Sequence, residues 1–147
     1  MIKEKSLSLF LGLLLLAGCT IPNQSRYTIS APGRAGAPVA ADKESVKEVL
    51  QTVASQLKMK DMTASSLAPN LIVYYQQIDS NYPVKLMAWT EGDKIVIELS
   101  HWPETIGEGM SYRNSREYIE SELKTRFGDR SSIVAFRNLA AHTTNHH

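Results

Sequence analysis

The residues best equipped for chemistry lie at positions 101–113: His101, Trp102, Glu104, Glu108, Tyr112 and Arg113, with Pro103, Gly107 and Gly109 among them. His101 beside Glu104 or Glu108 has the makings of an acid–base pair. The stretch leaves a strand and enters a helix, and the free backbone donors of a helix start favour anions. A competing reading is purely structural. In it Trp102 packs over the core edge, the glycines shape a turn and both glutamates are solvated. The structural reading is preferred, because no recognised nucleophile or metal-ligand spacing accompanies the loop. Gly107-Glu108-Gly109 lacks the lysine and the spacing of a phosphate loop. His142, His146 and His147 have no acidic or cysteine cluster beside them, so no metal centre is expected. No residue is assigned as catalytic.

A second motif bears on location. Lys3 and Lys5 form a basic start, residues 7–16 an apolar run, and Leu16-Ala17-Gly18-Cys19 ends it. The run is shorter than the ~20 apolar residues that span a bilayer. This pattern resembles the type II signal peptide and lipobox of bacterial lipoprotein precursors. The resemblance implies removal of residues 1–18 and a covalent diacylglycerol and N-acyl group on Cys19. It implies a cell-envelope address. Thr20, rather than aspartate, follows the cysteine, which for a Gram-negative host implies the outer membrane, facing the periplasm. Cys19 is the only cysteine, so lipidation would leave the folded part without a thiol or a disulfide. The resemblance ends at Thr20.

Removing Lys3, Lys5 and Glu4 from the 16 basic and 15 acidic residues leaves a neutral mature chain. Neutrality argues against a nucleic-acid partner. It also places membrane attachment with the acyl chains rather than with electrostatics.

The elements around these residues form an α+β pattern. Residues 19–41 read as a lipidated N-terminus and flexible linker, broken by Pro22, Pro32, Gly33, Gly36 and Pro38. As a coil such an arm reaches ~25 Å. A rival reading has residues 26–30 adding an edge strand, since Tyr27 and Ile29 alternate with polar neighbours. The globular domain is expected over residues 42–138 and a polar tail over 139–147. Val46, Val49, Leu50, Val53, Ala54 and Leu57 make one helical stripe, capped by Asp42 or by Ser45 with Glu48. Strands are expected over residues 71–78, 84–89 and 94–100, the last two joined by a hairpin turn at Glu91-Gly92-Asp93. Met87, Trp89 and Val96 then face outward, for the linker to cover or a partner to touch. A second helix is expected to start at Asn114, with Glu117 completing a capping box, and to stop at Gly128. Its stripe is Ile119, Leu123 and Phe127; a last strand covers residues 131–137. The expected fold is a small single α+β domain of order α-β-β-β-α-β. Its sheet is mixed, mostly antiparallel, with two helices on one face.

Two functions fit these observations. The leading one is a non-enzymatic, lipid-anchored envelope protein that binds a protein partner as an accessory or assembly factor. Its expected contact surface is Trp89, Trp102, Tyr112 and the loop between them. The alternative is a small periplasmic enzyme or ligand binder using His101, Glu104, Glu108 and Arg113. A mostly structural role with no soluble ligand is not separable from the first by sequence.

Overall fold

The computed structural model describes residues 23–32, 38–81, 83–101 and 110–137. The leader, Cys19, positions 102–109 and the tail from 138 lie outside them. The chain forms β1 (Asn23–Ser30), α1 (Ala40–Gln56), β2 (Lys60–Asp61), β3 (Leu71–Gln76), β4 (Val84–Glu91), β5 (Lys94–His101), α2 (Met110–Phe127) and β6 (Ser131–Arg137). Six strands make one sheet in the order β2-β3-β4-β5-β1-β6, and every neighbouring pair is antiparallel. The fold is the α+β class expected, with two helices and the α-β-β-β-α-β succession, to which the two-residue β2 is added after α1 and one further full strand, β1, before it.

That further strand is the principal correction. β1 falls within the segment expected to be a linker, and it is neither loose nor at an edge. It sits between β5 and β6 and pairs with both. Tyr27 and Ile29 point to the helices and are 2% and 1% exposed. Asn23 and Ser25 share that face and are equally buried. Since β5 and β6 both run antiparallel to β1, they are parallel to each other. β5, α2 and β6 therefore form a β–α–β unit split by an inserted strand.

Period-two alternation decides the rest of the sheet. Val73, Tyr75, Val84, Leu86, Ala88, Ile95, Ile97 and Leu99 face the helices. The α1 stripe of Val46, Val49, Leu50, Val53 and Ala54 meets them, as do Ile119, Leu123 and Phe127 of α2. Burying side chains of this size stabilises by about 1.5–3 kcal/mol each before entropy is counted. Gly92 (φ +61°) makes the β4–β5 turn, where a left-handed residue is needed. Gly128 (φ +56°) ends α2 as expected.

Both helix starts differ from expectation. α1 begins at Ala40 after Val39, so Ser45 lies inside it. Asp42 serves another purpose: its carboxylate accepts from Arg130 Nη2 at 2.6 Å and Nη1 at 3.4 Å. Arg130 Nε also donates to the Ser30 carbonyl at 2.9 Å. One guanidinium thus ties the end of β1 to the start of α1. α2 begins at Met110, which puts Asn114 and Glu117 within the helix rather than at its cap.

The register defines two ends of the sheet. Asn23, His101 and Val84 form one terminal row, with the end of β3, the start of α2 and the end of β6 nearby. Gln77 Nε2 donates to the Leu57 carbonyl at 3.1 Å, which brings the end of α1 to this same side. Ser30, Lys94 and Glu91 form the opposite row.

Candidate functional site

The side chains singled out by sequence do not converge. Trp102, Glu104 and Glu108 lie outside the described residues. Of the remainder, His101 and Tyr112 are on the helix side of the sheet, Trp89 is on the other, and Arg113 is exposed near the start of α2.

Tyr112 is a core residue. It is fully buried, and its hydroxyl lies 2.7 Å from Ser25 Oγ and donates to the Leu99 carbonyl at 3.4 Å. This chain of bonds needs the Ser25 hydroxyl to donate to the tyrosine oxygen. Tyr112 is therefore no part of an exposed contact surface, and the expected grouping of Trp89 with Tyr112 is corrected.

His101 ends β5 against Tyr112, ring centroids 5.9 Å apart and planes 23° from parallel. Burial holds its imidazole below the ordinary histidine range, which favours the neutral ring. Its Nδ1 is buried without a hydrogen-bond partner among the described residues. The described part of this site holds a packed histidine whose neutral form is favoured; Glu104 and Glu108, its expected acid–base partners, lie outside the described residues. No cluster of three or more metal-ligating side chains occurs among the described residues.

The helix-free face of the sheet has a different character. Cross-strand register places Met87 beside Tyr74 and Glu98, and Trp89 beside Val96. Val96 is 3% exposed although it stands apart from the core under the helices. Part of its cover is a built assembly. Arg26 donates to Glu98 Oε2 from Nη2 at 2.6 Å and from Nε at 3.1 Å, and its guanidinium lies 5.8 Å from the centre of the Trp89 ring. An indole face attracts a cation, and Glu98 holds the cation in place. Beyond it a shallow depression of about 460 Å³ runs along Thr28, Lys94, Ser132 and Val134. The face thus offers a half-buried aromatic and aliphatic centre with charged surroundings. The sequence places Met87, Trp89 and Val96 on this face; Arg26 falls in the segment expected to be linker and carries no local signal for it.

A second groove, of about 540 Å³, runs between α2 and β6 past Leu123, Lys124 and Ile133. The Tyr27 hydroxyl donates to Glu120 at 3.2 Å within it. Burial, with Glu120 nearby, holds that hydroxyl protonated far above the usual tyrosine range. Arg116 also donates to Glu120 at 3.4 Å. Glu120 is thus engaged twice, and the described residues of the groove include no activated nucleophile.

No protein-family model matches the chain, and no curated protein matches it.

Proposed function

We propose that this chain is a lipid-anchored cell-envelope protein that binds a protein partner, as an accessory or assembly factor, through the helix-free face of its sheet. Cys19 carries the lipid, and the membrane is its first partner. The observation that carries the docking reading is the Trp89 centre, where an indole, Met87 and Tyr74 lie half-buried on the face opposite both described helices. Aromatic and methionine side chains with an adjoining arginine are the residue types that dominate protein interfaces. The lipid-anchor reading draws on the lipobox pattern at Cys19. Among the described residues no helix is long and apolar enough to cross a membrane.

The test is site-directed photocrosslinking in cells, with the photoreactive residue at Thr28 on the helix-free face or at Lys124 on the helix side. One envelope protein captured from Thr28, absent from Lys124 and lost with Trp89→Ala, is the expected result. Equal capture from both positions, or capture indifferent to Trp89→Ala in a variant that still melts cooperatively, contradicts it.

A further inference from the structure

The two outer edges of the sheet differ. The β3 edge is closed over most of its length. β2 pairs with it at Tyr75 and Gln76, the Met62 N–H donates to the Tyr74 carbonyl at 2.7 Å, and the Tyr74 N–H donates to Thr63 Oγ1 at 3.0 Å. The β6 edge is open: among the described residues, β6 pairs with β1 alone. An unpaired edge is a row of backbone donors and acceptors that another strand can satisfy. Sheets protect such edges with lysine, proline, inward charge or a bulge. Residues 131–136 read Ser-Ser-Ile-Val-Ala-Phe, with no charge and no proline. The one such device in β6 is a bulge, Val134 being the extra residue between the Arg26–Ala135 and Tyr27–Ile133 pairs.

Each face of this edge carries an exposed apolar residue. Ile133 lies on the helix side and is 58% exposed; Val134 lies on the helix-free side and is 55% exposed. A cavity flanks the strand on each side: the groove past Leu123 and Ile133, and the depression past Thr28 and Val134. An added strand alternates its side chains between the two faces, so it would send side chains into both cavities. β6 is itself a strand of that kind. It holds one exposed apolar residue for each face. Over residues 131–136 an antiparallel copy opposes no like charges.

We propose that a second copy of this chain docks on the β6 edge, β6 against β6 and antiparallel, so that two six-stranded sheets become one continuous sheet. Two-fold pairing of one patch with itself is the commonest form of association between identical chains. The two-fold axis stands perpendicular to the joint sheet. The helices of both copies therefore lie on one side and both Trp89 centres on the other. The pairing goes beyond the Trp89 reading and needs neither that contact nor the lipid.

The test is photocrosslinking in cells that make two differently tagged copies of the full chain. The photoreactive residue stands at Ser132 on the open edge or at Lys60 on the closed one. The expected product from Ser132 joins the two tags, with the crosslink inside residues 131–137 of the other copy; Lys60 gives little of it. A two-fold axis near the middle of β6 brings Val134 close to its own counterpart. Val134→Lys alone, or Val134→Glu alone, then sets like charges together and is expected to lower the product roughly tenfold or more. Co-expressing the lysine copy with the glutamate copy is expected to restore it. Val134 is exposed in the single chain, so these variants should still melt cooperatively; Ile133→Lys replaces any that does not. The proposal is overturned by three results: no mixed-tag product, crosslinks that fall instead on the same chain's tail or on another protein, or a product indifferent to the substitutions.

Discussion

Tyr112 illustrates how burial decides between two roles for one side chain. Its ring is sealed between α2 and the sheet, and its hydroxyl continues a buried chain from Ser25 to the Leu99 carbonyl. Tyr112→Phe removes the hydroxyl and is expected to cost about 1 kcal/mol. Tyr112→Ala also leaves a cavity and is expected to cost about 3–5 kcal/mol. Equilibrium denaturation checks both; an alanine variant as stable as the parent contradicts the core assignment. His101 beside it makes the fold sensitive to acid. Its folded pKa is depressed by burial, so the unfolded chain takes up the proton first. The stability it confers is complete above the ordinary histidine pKa of about 6.5 and is lost as pH falls from there through the folded value. Denaturant midpoints at pH 7.5 and pH 5.5 should differ more for the parent chain than for His101→Gln. An equal drop in both would show that the acid sensitivity comes from other groups.

At the scale of elements, β1 carries most of what the sequence concealed. As an interior strand, Ile29 is a core residue, and Ile29→Ala is expected to cost about 2–5 kcal/mol. In a linker the same change would fall within about 0.5 kcal/mol. Thermal or chemical unfolding separates the two, and a neutral result would return β1 to the linker. The strand was hard to read because two of its four inward positions are Asn23 and Ser25, which shortens its apolar alternation to Tyr27 and Ile29. Pro22 and Pro32 then frame it as irregular chain. α2 hid its first turn in a similar way. Its inner stripe runs Tyr112, Ser115, Ile119 and Leu123, and the buried Ser115, bonded to the Ser111 carbonyl at 2.8 Å, interrupts the apolar period. By contrast, β4, β5 and β6 announced themselves. The first two carry an apolar residue at every inward position from Val84 to Ala88 and from Ile95 to Leu99, and Gly92 and Gly128 mark the turns that only a left-handed residue makes easily. The site was legible only in part. Trp89 could be placed on the outer face from its own strand, but its partner Arg26 comes from β1 and is 63 positions away in sequence. Long-range pairing of that kind leaves no local signal.

For the whole molecule, the sheet links the proposed anchor to the proposed docking face. An interior β1 leaves three residues between it and Cys19, and both described helices lie on the face opposite Trp89. The account therefore stands on Cys19 being the lipidated N-terminus. Intact-mass and N-terminal peptide mass spectrometry of the chain purified from cell membranes tests this most directly. The predicted result is a mature chain that starts at Cys19 and carries the mass of a diacylglycerol and an amide-linked acyl group. A chain that retains Met1, or one that starts elsewhere without lipid, would contradict it.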